Sequence, residues 1–167
     1  VWQTLSFGPG LVDDGRLDWD TPVTKVYPAF KLGDAATTQQ VLVKHLLCAC
    51  TGLPRQDYEW LLEFRSATPA SVMRTLGGMQ PTSKFGELFQ YSNLMAAAAG
   101  FIGGAKAVPG KELGAAYDEA MRTKVFEPLG MTNTGVHRPS LALQHEALGY
   151  QFNGAKFSNA LDWDMSW

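Results

Sequence analysis

The chain has 167 residues, 46% hydrophobic and 18% charged, with a net charge of −2, which describes one ordinary globular domain and excludes disordered and fibrous classes. No segment gathers the Lys/Arg cluster that phosphate or anionic lipid would need, so no nucleic-acid partner is expected. The longest apolar run, residues 94–105, is shorter than the roughly 18 residues of a membrane span; it is Ala/Gly-rich, adjoins Lys106 and reads as a buried helix.

The first residues, "VWQTLSFGPG", carry no basic region and no cleavage pattern, so no signal peptide is visible. A helix over about residues 2–14 is interrupted by Gly8, Pro9 and Gly10, and "DDGRLDWDTPV" reads as a turn and an extended connection. From Thr37 the pattern is helical: Thr37 or Thr38 caps, and Val41, Leu42, His45 and Leu46 keep helical spacing until Thr51, Gly52 and Pro54. "QDYEWLLEFRSA" predicts a second helix. "TPASVMRTLGG" predicts a third, with Thr68 as cap, Pro69 at its first position and Gly77-Gly78 at its end. The run "LMAAAAGFIGG" is a further buried helix, and "KELGAAYDEAMRTKVFEPLG" gives a long one with Leu113, Tyr117, Ala120, Met121 and Val125 on one stripe. Near the end the period changes: Tyr150 and Phe152 alternate with polar residues, and Asn153-Gly154 predicts a two-residue hairpin turn continuing through Ala155 and Phe157.

Cys48 and Cys50 are the only cysteines and stand too close in sequence for an ordinary stapling disulfide. With His45 they spell H-x-x-C-x-C. On a helix, however, Cys50 turns away from the face shared by His45 and Cys48, and no fourth ligand is evident, so no metal is expected and two buried thiols are the simpler reading.

No G-x-S-x-G, H-E-x-x-H, P-loop or dinucleotide fingerprint occurs. Four phrases remain: "LVDDGRLDWDTPV" (11–23), "VLVKHLLCACTGLP" (41–54), "FQYSNL" (89–94) and "VFEPLGMTNT" (125–134). In this order they resemble the serine β-lactamase and penicillin-binding protein superfamily, in particular its class C-like β-lactamases, esterases and D-aminopeptidases. The second resembles that family's V-x-x-L-L-x-H-x-x-G-L-P segment, the third its Y-x-N motif and the fourth its F-x-P-L-G-M-x-x-T helix end. Ala49 stands where the family often has a histidine, a position that is usually structural.

The resemblance implies a mainly α chain, the helical subdomain of the β-lactamase/transpeptidase-like α/β fold, with a short C-terminal β-hairpin and most of the central sheet absent. It implies a single partial domain: residues 1–36 connect from the nucleophile helix, 37–135 form the helical subdomain, and 136–167 return with the hairpin. The family acylates a serine in S-x-x-K and borders its substrate with K-[ST]-G or H-x-G. Here the residues three before the lysines are Pro22, Pro28, Val41, Pro81, Gly103, Val108, Met121 and Asn153, none of them Ser or Thr, and no K-[ST]-G follows. The nucleophile is therefore not expected in this chain, which reads as the middle of such a protein and, in isolation, as inactive. By resemblance Tyr91 is the general base or proton relay and Asn93 binds the lysine and the substrate's amide. The complete protein would hydrolyse a small-molecule ester or amide through an acyl-serine without metal or organic cofactor, in the periplasm or outside the cell. A truncated or degenerate relative serving as a binding or scaffold module is the alternative, and apolar surface left where a sheet should dock would drive association.

In an extended segment residues two apart share a side, so Tyr91 and Asn93 can face one cleft while Ser92 faces away. A phenol titrates near pH ~10, so a basic phenolate at neutral pH needs about 4 kcal/mol of preferential stabilisation. An ammonium about 4 Å away supplies that order of energy, which makes neighbouring lysines a chemical requirement. The structural alternative for the same residues is that Ser92 or Asn93 caps the following helix while Tyr91 packs at its start. His137 and His145 read as surface or turn residues, Asp13, Asp14, Asp18 and Asp20 as turn formers, and Tyr58, Trp60 and Phe64 as core aromatics.

Overall fold

The computed structural model describes residues 10–57, 67–136, 150–152 and 154–159. Residues 58–66 of the predicted second helix with its aromatics Tyr58, Trp60 and Phe64, the histidines His137 and His145, and residues 2–9 of the predicted first helix lie outside the described residues; Gln56, Asp57 and Ala67, the ends of that predicted second helix, are described and not helical. Residues 10–13 are helical and end in a turn at Gly15. Arg16 donates from Nη2 to the carbonyls of Lys106 and Ala107 at 3.1 and 3.0 Å, which ties this turn to the end of a long helix far along the chain.

Two short helices follow, α1 (Val23–Val26) and α2 (Ala35–Gln40). The cap of α2 is Asp34, whose carboxylate accepts from the Thr37 backbone N–H at 2.6 Å, so the expected cap at Thr37 or Thr38 is corrected. Those threonines are buried one turn inside the helix, and Thr38 Oγ1 donates to the Asp34 carbonyl while accepting from Leu32 N–H. The expected continuous helix through Val41 and Leu46 is also broken. Val23 N–H donates to the Val41 carbonyl and Val43 N–H to the Thr21 carbonyl, which holds residues 41–42 extended. Only a 3₁₀ turn, Val43–Leu46, comes after. Tertiary hydrogen bonds override the helical spacing here because they satisfy the same backbone groups.

Helix α3 (Pro69–Leu76) forms where its signals place it. Thr68 and Ser71 cap reciprocally, each side-chain oxygen accepting the other's backbone N–H at 3.1 and 2.8 Å, and Pro69 occupies the first helical position. Helix α4 (Asn93–Ala107) buries Leu94, Met95, Ala96, Ala98 and residues 100–104. A helix apolar on so many sides belongs inside a core. Helix α5 (Leu113–Met121) is capped by the Glu112 carboxylate, runs on through a π-helical turn, Arg122–Phe126, and packs along α4. The two helices approach so closely that a Cβ on Gly104 would sit 2.7 Å from the Tyr117 Cα. Phe101 and Tyr117 meet edge to face at 5.9 Å beside this contact.

The main core joins Val23, Phe30, Leu32, Val41, Leu46 and Leu53 to Val72, Leu76, Leu94, Phe101 and Ile102. A smaller one gathers Leu11, Ala120, Met121 and Phe126. The described residues are thus mainly helical. Two three-residue strands, β1 (Tyr150–Phe152) and β2 (Phe157–Asn159), pair antiparallel with Phe152 opposite Phe157. That register leaves residues 153–156 between the strands and so differs from the expected two-residue turn, which would set Ala155 opposite Phe152. Gly154 adopts a positive φ of 93° within this connection.

Candidate active site

The site is built where two loops meet the start of α4. Residues 49–52 act as a rail: the carbonyls of Gly52, Cys50 and Ala49 accept from the backbone N–H groups of Thr82, Gly86 and Gln90 at 2.8, 2.8 and 2.7 Å. Gly52 is required in this rail, because its φ is +78° and a Cβ would meet the Ser83 carbonyl oxygen at 2.3 Å. Gln90 locks the same junction with its side chain, donating to Thr82 Oγ1 at 3.0 Å and accepting from Ser83 Oγ at 2.7 Å. The residue before Tyr91 is therefore held through backbone and side chain together.

Cys48 and Cys50 are joined as a disulfide, with Cα atoms 5.2 Å apart. This corrects the expectation of two buried thiols, and the paired sulfurs offer no thiolate to a metal. A helix would have turned the two side chains apart. The chain instead leaves the 3₁₀ turn after Leu46, and Ala49 takes the left-handed conformation at φ 54°, so the flanking cysteines converge. His45 has a structural role: its Nδ1 accepts from the Leu42 N–H at 3.1 Å and its ring meets Phe85 edge-on at 4.9 Å.

Ser92 is the N-cap of α4. Its backbone is extended, its side chain is buried, and its Oγ accepts from Met95 N–H at 3.3 Å. The extended cap turns Ser92 inward, as the two-residue alternation requires, and makes Asn93 the first residue of the helix. Tyr91 is 40% exposed and is not buried at the helix start. Leu88 and Phe89, a few residues earlier, are exposed as well, Phe89 to 77%.

What links Tyr91 to Asn93 is a pair absent from the sequence expectations, Arg55 and Asp57. Asn93 Nδ2 donates to Asp57 Oδ1 at 3.0 Å, Arg55 Nε pairs with Asp57 Oδ2, and the Arg55 guanidinium lies 5.8 Å from the Tyr91 ring centroid. The Asp57 side chain is only 12% exposed, whereas Arg55 is 67% exposed. One nearly buried carboxylate thus gathers both motif residues. In the sequence Gly52 and Pro54 mark the end of the preceding segment, but no local pattern points residues 55–57 at Tyr91 and Asn93. Of the acidic residues read as turn formers, Asp18 Oδ1 accepts from Asp20 N–H at 2.8 Å, and Asp14 pairs with Lys124 at 3.4 Å.

Among the described residues no group of three or more His, Cys, Asp and Glu is arranged to hold a metal, and no helix is long and apolar enough to cross a membrane.

Comparison with known proteins gives a consistent picture. The family model described as Beta-lactamase matches residues 10–166. An unguisins hydrolase of Aspergillus campestris is 28% identical over 155 residues, covering 87% of this chain and 28% of the relative. Among solved structures, the octameric penicillin-binding protein homologue of Pyrococcus abyssi superposes with a TM-score of 0.71 at 27% identity, over 94% of this chain and 37% of that one. The D-amino acid amidase of Ochrobactrum anthropi SV3, complexed with D-phenylalanine, gives 0.68 at 27% identity over 89% of this chain and 40% of that one. The chain therefore spans well under half the length of each of these proteins.

Proposed function

The chain belongs to the Beta-lactamase family, and on that premise we propose that it is the part of a serine acyl hydrolase that supplies the Tyr91/Asn93 wall of the active site. The observation that carries this reading is the joint placement of the two residues. Tyr91 stays open to solvent while Asn93, rigid at the first turn of α4, is drawn to the same Arg55–Asp57 pair. Helix capping falls to Ser92 alone, which leaves the Tyr91 and Asn93 side chains available for chemistry.

In the complete protein a serine oxygen attacks an ester or amide carbonyl, the alcohol or amine leaves, and water cleaves the acyl-serine. Tyr91 relays the serine proton and Asn93 orients the attacking group and the substrate. The hydrolase and amidase relatives support hydrolysis of a small molecule. The Cys48–Cys50 disulfide supports an oxidising compartment. On this reading the nucleophile is not among these 167 residues, because no lysine here follows a Ser or Thr by three positions. That same observation favours the second reading, a non-catalytic relative that keeps the helical part for binding.

Tyr91→Phe in the full-length encoded protein separates the two. With p-nitrophenyl acetate as the probe, kcat should fall by about 10²–10⁴-fold, the range for losing a proton-transfer group, with the thermal midpoint unchanged. A Tyr91→Phe protein as active as the wild type would remove Tyr91 from the mechanism, and a wild-type protein without turnover would favour the binding module.

A further inference from the structure

We propose that Asp57 is a positioning residue of this site: it dictates the orientation of the Asn93 amide and holds Arg55 against Tyr91. The catalytic consequence rests on the hydrolase reading above, whereas the structural one rests on geometry alone.

An amide side chain has nearly the same shape in its two flipped orientations, so its surroundings must choose between them. Asn93 is fixed at its backbone by the first turn of α4, and only its side-chain torsions remain to be set. An ionised carboxylate accepts hydrogen bonds and donates none. The 3.0 Å contact from Nδ2 to Asp57 Oδ1 is therefore possible in one orientation only, with the Asn93 NH₂ toward Asp57 and its carbonyl oxygen turned the other way. Asn93 then presents an acceptor, matched to an ammonium or amide N–H, together with its second amide hydrogen. The other Asp57 oxygen engages Arg55 Nε, so the guanidinium is kept over the Tyr91 ring instead of ranging through solvent. With its side chain 12% exposed, Asp57 makes these contacts largely out of water, where a charge-assisted hydrogen bond is stronger and a missing partner is more costly.

Asp57→Asn is the informative change because it keeps shape and removes the constraint. A neutral amide can donate to or accept from Asn93, so neither orientation is imposed, and Arg55 loses its counter-charge. In the full-length protein with p-nitrophenyl acetate, kcat should fall about 10- to 100-fold, as expected for a misplaced reacting group, with KM within about twofold. Asp57→Glu, which restores an acceptor-only carboxylate, should recover at least part of the loss. In parallel, ¹⁵N–¹H spectra of the full-length protein should show the Asn93 side-chain NH₂ pair moved in Asp57→Asn and near its original position in Asp57→Glu. Should Asp57→Asn fail to fold, Asp57→Ala takes its place with the same expected pattern. Unchanged Asn93 resonances overturn the proposal, and so does a kcat loss that Glu does not recover, since that marks a merely structural carboxylate. If wild-type turnover is absent, the hydrolase reading fails and the Asn93 spectra alone decide the orientation claim.

Discussion

Helix α4 and the Leu88–Tyr91 segment that feeds it are neighbours in sequence and opposites in how they are held. The helix is fixed by burial: its apolar side chains enter the main core and Gly104 lets α5 come within direct backbone contact. The segment is fixed at Gln90, whose N–H donates to the Ala49 carbonyl and whose side chain joins Thr82 and Ser83, while Leu88, Phe89 and Tyr91 stay exposed. Asn93 stands on the boundary, its backbone belonging to the helix and its side chain to the loop pair Arg55–Asp57. Rigidity and access thus come from different physical sources. On the proposed function, the residues that would touch substrate lie on the polar side, and the element that aligns them on the apolar side.

If that division is right, core substitutions should cost stability and rail substitutions should cost alignment. Phe101→Ala should lower the unfolding free energy by about 3–5 kcal/mol, read from denaturant titration with an unchanged slope. Gly104→Ala forces a methyl into the Tyr117 backbone and should cost about 1–3 kcal/mol; no loss would mean that α4 and α5 are less closely packed than described. The Cys48→Ser/Cys50→Ser double variant should cost roughly 1.5 kcal/mol, because the closed loop is so short. Its larger effect should be local, with faster hydrogen exchange of the Gln90 amide than of the amides within α4. Ser92→Ala removes the α4 cap and should cost about 1 kcal/mol, leaving the rail amides as protected as before.

The smallest effect concerns Asp34, the cap of α2. Hydrogen bonding from the Thr37 side chain, then from its backbone, holds the Asp34 carboxyl below its ordinary value of 3.8. Between the folded and unfolded values the unfolded chain binds more protons, so stability rises with pH through that window. The contribution is complete above the unfolded value and is lost as pH falls through the folded one. Asp34→Asn should remove this acid-side slope and leave the rest of the pH profile alone.

Helices with local signals were legible in the sequence. Thr68-Pro69 and Gly77 bracket α3, and the Ala/Gly run marks α4, because caps and apolar continuity are properties of adjacent residues. The break at Val41 was hidden, since it depends on backbone partners at Thr21 and Val23. The Asp34 cap was missed in favour of threonines that look like caps and are used instead as buried hydrogen-bonding residues. At the candidate site, spacing and the surrounding phrases single out Tyr91 and Asn93 as the proposed pair. Arg55 and Asp57 were not legible, since their meaning arises only when the 52–57 loop is folded against residues more than thirty positions later. The disulfide was hidden for a related reason: a helical Cys48-Ala49-Cys50 cannot close, and only the left-handed Ala49 allows it.

The central claim is that this chain supplies the proton-relay wall of a serine hydrolase and that the nucleophile is elsewhere. Intact-mass analysis after treatment with a fluorophosphonate tests it most directly. The expected result is no mass increase on the 167-residue chain and a single adduct on the full-length protein, mapping to a serine outside residues 1–167. An adduct on any serine within residues 1–167 would contradict it.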